Sequence, residues 1–315
     1  MLSRRQLRSK CLQALYAYFQ SDNANIAIGE KELLHSIEKV YDLYLYQLTL
    51  LNEVVDYADL KLQEAKQKRL PTAADITPNT KFVDNKLLGK LKLNRQVQQA
   101  LAKNKISWSN EQEYVRNLFQ EIKKTPEYDT YMNSDESTFE EDKNFIIKTF
   151  KNHIAESELV DQFFEEKSIY WSDDIELIDS MVIKTFKSFT ESSDEFHPIL
   201  KLYNDEEEDK EYVLELFKKT IIHSKEYEKI IAEKTKNWEV ERIALMDILI
   251  MKMAICELLN FQSIPVKVTL NEYIDISKRF STPKSKVFVN GILDKLIADF
   301  KTNNKIIKTG RGLLE

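Results

Sequence analysis

The sequence predicts an all-α protein, and three observations carry that prediction. Gly occurs five times and Pro six times in 315 residues. No Gly stands between Gly89 and Gly291, and no Pro between Pro198 and Pro265. These residues punctuate turns and sheets, so their scarcity favours long helices. Apolar residues then recur at three- and four-residue spacing along most of the chain, as a helix with one buried face requires. The balance of 43% hydrophobic and 31% charged residues suits a water-soluble helical protein rather than a disordered one. A chain of this length can bury a core and hold two domains.

The first helix is expected over Ser3–Gln20. Cys11, Leu12, Leu15, Tyr16 and Phe19 form its apolar stripe. Arg4, Arg5 and Arg8 fall in its first turns, where the helix macrodipole favours acids. An external anion would offset that cost; a solvated helix end is the other reading.

Glu32 to about Ala65 reads as one or two long helices, and Lys66–Thr80, with Pro71 and Pro78, as a connector. Trp108–Lys124 is helical and ends at Thr125-Pro126. Helices follow over Phe139–His153, Glu156–Glu166 and Asp174–Phe189. The acidic run NDEEED from Asn204 reads as a solvated helix start. From Val240 to Leu258 apolar residues cover nearly every face, so this helix is central and buried. Asp247 within it then needs a hydrogen-bond or ion-pair partner.

Two segments mimic strands. Ile264, Val266, Val268 and Leu270 alternate, and Asn290-Gly291 is a hairpin signal. Helical spacing wins in both: Leu270, Tyr273, Ile274 and Ser277 in one, Val289, Ile292, Leu293, Leu296, Ile297 and Phe300 in the other. Two isolated strands would also have no sheet to join. Gly291 inside a helix costs about 1 kcal/mol relative to Ala. Close approach of a second helix or of a ligand would explain it.

A 67-residue offset aligns two stretches of the chain, as an internal repeat or as chance similarity between Lys/Glu-rich helical segments. Phe150 aligns with Phe217, Ile154 with Ile221, Ser157 with Ser224 and Trp171 with Trp238. After a one-residue shift Leu177, Asp179 and Lys184 meet Leu245, Asp247 and Lys252. As a repeat, the middle of the chain is a degenerate copy of the helices that open the C-terminal bundle.

The net charge of −6 is unevenly spread. Residues 1–20 carry four cations and no acid, and residues 236–315 carry an excess of four cations. Basic ends therefore flank an acidic middle, and the ends can bind an anion while the whole stays acidic. Cys11 and Cys256, the only cysteines, sit in apolar helical patterns and read as buried thiols, which fits a reducing cytosol. The four histidines have no metal-like spacing, and no cofactor is implied. Lys10 and Gln13 interrupt any secretory apolar region, and Ile243–Leu259 contains Asp247, Lys252 and Glu257 in a stretch short for a bilayer. No membrane segment is expected.

These motifs together resemble the NusB family. The arginine-rich start before Gln13-Ala14-Leu15-Tyr16 looks like its N-terminal motif. Arg242-Ile243, Glu257-Leu258 and Ile264-Pro265-Val266 match its central helix and following turn. Asn271-Glu272 and Phe288-Val289-Asn290-Gly291-Ile292-Leu293-Asp294-Lys295 match its last two helices. The resemblance covers residues 4–20 and 209–302. It implies NusB-like helical bundles, with a large helical insertion after the first helix where family members have a short connection. The corresponding division is residues 1–206 for the N-terminal basic helix plus insertion, 207–302 for the C-terminal bundle and 303–315 for a basic tail.

The resemblance also implies a cytoplasmic, non-enzymatic transcription antitermination factor. Such a protein binds boxA-type single-stranded RNA of ribosomal RNA leaders together with the ribosomal protein NusE. The pair joins the RNA polymerase antitermination complex and supports read-through.

The residues fit that chemistry, which needs cations for phosphates and flat or polar groups for bases. Arg4, Arg5, Arg8 and Lys10 form one candidate RNA-binding set. Lys278, Arg279, Lys284, Lys286 and Lys295 form a second. Phe288 would stack on a base or pack in the core, and Asn290 would read a base edge or cap local backbone. Tyr16 and Glu257 are candidate partner contacts, with a core or surface ion-pair role as the other reading. A helical protein–protein adaptor is an alternative function. So is an RNA-binding domain related to ribosomal RNA methyltransferases, although no Gly-rich cofactor turn is present for methyl transfer itself.

Overall fold

The computed structural model describes residues 1–21, 25–235 and 243–314. Trp238, Val240 and Arg242, used in the sequence reading, lie outside the described residues. Regular structure among the described residues is helical, with no strand. No described helix is long and apolar enough to cross a membrane.

The chain opens with α1 (Arg4–Gln20) and α2 (Ile26–Lys66). Ser3 starts α1 as half of a capping box, its N–H donating to Gln6 Oε1 at 2.9 Å. The structure forms two compact units. One comprises Glu38–Leu202 with Met1, and the other Leu2–Ile37 with the chain from Tyr203 onward.

The first unit holds the rest of α2 with α3 (Ala73–Ile76), α4 (Lys86–Leu93), α5 (Arg95–Asn104), α6 (Gln112–Lys123), α7 (Pro126–Asn133), α8 (Phe139–Phe150), α9 (Glu158–Lys167) and α10 (Ile175–Ser188). A π turn, Lys151–Ala155, extends α8. Thr125-Pro126 ends α6 as expected and starts α7, with Tyr128 N–H donating to Thr125 Oγ1. Leu43, Tyr44, Leu48 and Leu51 of α2 are fully buried in the core. Tyr44 Oη lies 2.7 Å from Thr185 Oγ1 of α10, and Trp108 packs edge-on against Tyr46.

The second unit adds α11 (Glu206–Ile222), α12 (Ser224–Lys234), α13 (Leu245–Asn260), α14 (Val266–Phe280) and α15 (Ser285–Thr302), then a 3-10 turn at Gly310–Leu313. The acidic run does start a helix. Asp205 caps α11 by accepting from Glu208 N–H, and Glu206–Asp209 fill the first turn, where the dipole stabilises acids.

The core of α13 is buried on every side, as its sequence demands: Leu249, Ile250, Met251, Met253, Ile255 and Leu258 are at most 1% exposed. It packs against α1, α11, α12, α14 and α15. Asp247 accepts from Ser281 Oγ at 2.6 Å and Ser285 Oγ at 2.8 Å, which supplies the partners its burial requires. Cys11 and Cys256 are buried free thiols, and burial pushes Cys256 up to about 12.

This division differs from the one read in the sequence. Residues 2–37 join the C-terminal helices, because Leu7, Cys11, Leu12 and Leu15 of α1 are fully buried where α1 packs on α11 and α13. Residues 303–314 also pack onto this unit: Thr309 N–H donates to Gln262 O at 3.0 Å.

Candidate nucleic-acid interface

The N-terminal cations divide into an outer and an inner pair. Arg5 reaches across to α14, where Nε and Nη2 donate to Glu272 at 2.9 and 2.8 Å and Nη2 lies 3.2 Å from Asp275. Arg4 pairs with Glu208 of α11, its guanidinium 4.6 Å from the centre of the Tyr212 ring. Arg8 and Lys10 are only 2% and 3% exposed, so the cations that face outward here are Arg4 and Arg5. The apolar stripe carries Arg8 inward because it lies one turn before Cys11 and Leu12.

Glu257 of α13 takes up the Arg8 charge. Arg8 Nε and Nη2 donate to its two carboxylate oxygens, each at 2.8 Å. Thr269 Oγ1 donates to Oε1 at 2.8 Å, and Tyr212 and Tyr273 hydroxyls donate to Oε2 at 2.7 and 3.3 Å. Burial alone would raise the carboxyl, but the Arg8 charge and these hydrogen bonds outweigh it and hold Glu257 below the usual carboxylate range. Glu257 is 0% exposed, so its ion pair with Arg8 is buried. Tyr16 is 38% exposed on α1, and its hydroxyl accepts from Gln20 Nε2.

The second cation set lies on α14 and α15. Lys278, Lys284, Lys286 and Lys295 are exposed. Lys278 donates to Asp275, and its hydrogen bond is the main reason Asp275 stays below the usual carboxylate range; the charges of Arg5 and Lys286 add to the effect. Asp275 thus gathers Arg5 and Lys278 into one basic patch, although they come from opposite ends of the sequence. Phe288 is half-buried. Asn290 Nδ2 donates to Asp294 Oδ2 at 3.0 Å, so it orders a side chain on its own helix rather than capping backbone.

Among the described residues no other helix explains Gly291: a Cβ built there meets none of their atoms within 4 Å. Of the two reasons expected for this glycine, close packing against the described helices is not seen.

Sequence reasoning missed a cleft of about 880 Å³ beside this patch. Arg4, Arg5, Arg8 and Arg311 line it together with Ile264, Pro265, Val268 and Leu314. The basic tail was visible in the sequence, but its seat was not, because Arg311 lies more than three hundred residues from Arg4. Among the described residues no group of three or more His, Cys, Asp or Glu side chains could hold a metal ion.

The NusB family model matches residues 174–298. A transcription antitermination protein NusB of Salinibacter ruber (strain DSM 13855 / M31) is 39% identical over 119 residues, 38% of this chain and 74% of the relative. The protein of the same name from Chloroherpeton thalassium (strain ATCC 35110 / GB-78) is 39% identical over 106 residues, 34% of this chain and 50% of its own length. That of Geobacter sulfurreducens (strain ATCC 51573 / DSM 12127 / PCA) is 38% identical over 104 residues, covering 31% and 75%. No solved structure matches the chain. With an arginine-led first helix packed on a buried central helix, and identity of this order over three quarters of a relative's length, the chain belongs to the NusB family.

Proposed function

We propose that this protein is a transcription antitermination factor that binds boxA-type single-stranded RNA together with NusE and so supports read-through by RNA polymerase. It acts by binding and performs no chemistry. The carrying observation is the convergence of Arg5 and Lys278 on Asp275. Two basic segments from opposite ends of an acidic chain form one surface, which suits a polyanion. Family membership supports the antitermination role, since the relatives carry that name.

In this reading Arg4, Arg5, Lys278, Lys284, Lys286 and Lys295 contact phosphates. Phe288 and Asn290 stand where a base would pass, and Arg8 and Lys10 support α1 from within. Tyr16, exposed on α1, is the candidate contact for NusE. The open space at Gly291 leaves room for RNA or for that partner.

The test is binding of a labelled boxA-type RNA and a scrambled control, with and without NusE, at two salt concentrations. Selective binding that strengthens with NusE and falls with salt is expected. Arg5→Gln combined with Lys286→Gln should weaken it roughly tenfold or more, at about 1 kcal/mol or more per lost charge-assisted contact. Equal binding of both RNAs would reduce the surface to a nonspecific cation patch.

A further inference from the structure

The segment after α15 lies beyond residues 174–298, the stretch that the family model matches, yet it is fitted to the second unit. Lys305 N–H donates to Phe300 O at 2.8 Å, Lys308 Nζ to Phe261 O at 2.9 Å and Thr309 N–H to Gln262 O at 3.0 Å. Gly310 has φ +52°, in the left-handed region that favours glycine. Gly312 is buried, and a Cβ there would stand 1.9 Å from the Gln262 carbonyl oxygen. Backbone cannot yield that much space. Two glycines, each required for its own reason, therefore hold the residue between them in one place.

That residue is Arg311. It is exposed, lines the cleft that Arg4 and Arg5 also line, and forms no ion pair among the described residues. The other charges of the cleft are engaged. Arg4 and Arg5 hold Glu208 and Glu272, while Asp205 and Asp209 accept backbone N–H groups at the start of α11. Ile264, Pro265, Val268 and Leu314 give the cleft an apolar side. A cation with no acid partner beside an apolar wall suits a nucleotide, whose phosphate is anionic and whose base has a wide apolar face.

We propose that the C-terminal turn is a built part of the RNA-binding surface, with Arg311 taking a backbone phosphate of the same single strand. This rests on the RNA-binding reading above. The glycines are positioning residues, and Arg311 makes the contact.

Two variants of the full chain test it, with boxA-type RNA and NusE across a salt series. Arg311→Gln removes the charge from an exposed position. Gly312→Val keeps the charge and unseats the turn. One phosphate contact to a single strand contributes about 0.7 to the slope of log K against log salt, or about fivefold in affinity at 0.1 M salt. Both variants should lose about that much in affinity and in slope. If the unaltered protein binds no such RNA, the RNA-binding reading itself fails, and this inference with it. If it binds and Arg311→Gln changes nothing, the inference alone is overturned. Loss in Arg311→Gln with none in Gly312→Val would overturn the claim that docking places the arginine. Tighter binding by Gly312→Val would mean that the turn covers the surface instead of extending it.

Discussion

Arg8 and Glu257 show how one residue type serves two ends within a single helical turn. Arg4 and Arg5 sit at the surface, while Arg8 is buried against a fully buried carboxylate with three further donors. Removing one partner of such a pair strands the other charge in the core, at a cost of about 3–5 kcal/mol. Glu257→Gln should therefore lower unfolding free energy by that order, measured by urea titration. Replacing the exposed Arg5 by Gln should cost less than about 1 kcal/mol. Gly291→Ala tests the other special position. Its Cβ meets open space, so stability should rise by up to about 1 kcal/mol. If RNA or NusE approaches there, binding should fall as stability rises, and the two measurements together separate the roles. The sequence marked Arg8 and Glu257 as notable residues but not as partners, since 249 residues separate them.

At the scale of elements, the internal repeat has a physical counterpart. The α8 helix with its π turn spans 139–155 and α11 spans 206–222, the same 67-residue offset at both ends. The α9 and α12 helices follow at nearly the same offset, and α10 precedes α13 by about the shifted one. Each trio buries an acid in its third helix, Asp179 or Asp247, and their surroundings differ. Asp247 has two serine donors, whereas Asp179 Oδ1 has no hydrogen-bond partner among the described residues. Burial first, then the charge of Asp161 with a smaller part from Glu176, pushes Asp179 up to about 7, and Gln47 offsets only part of this.

The sign follows from linkage. Below about pH 4 the group is protonated in both folded and unfolded chains. As pH rises toward 7 the unfolded chain releases its proton first, so folding stability falls, and it levels off once the folded carboxyl ionises. Asp179→Asn should remove that decline, read as unfolding midpoints between pH 4 and 8, and leave the variant more stable at pH 8.

Long elements with strong periodicity were legible in advance, including the two that imitate strands. In both, helical spacing continued for several turns beyond the ambiguous residues. The short helices α4 and α5 were not, because eight and ten residues give too few turns for a stripe to declare itself. Asn85 and Asn94 start them, each accepting from helix N–H groups, and such caps were the signal available.

The whole molecule is acidic at −6, yet its basic surface is assembled from both ends of the chain. Composition exposed the charge imbalance; only folding shows that Arg5 and Lys278 share an acid. Binding to boxA-type RNA should accordingly weaken as salt rises, while scrambled RNA should bind weakly at every salt concentration because most of the molecule repels it. Anisotropy titrations over a salt series measure both.

The arginines of α1 are already neutralised before any ligand arrives, Arg4 by Glu208 and Arg5 by Glu272 and Asp275. An incoming phosphate must displace a carboxylate, and the released carboxylate then attracts a cation of its own. Association at these two sites is thus an exchange of anions, with ion uptake partly cancelling the counterions that the nucleic acid sheds. The salt slope should consequently fall short of the number of cations in contact.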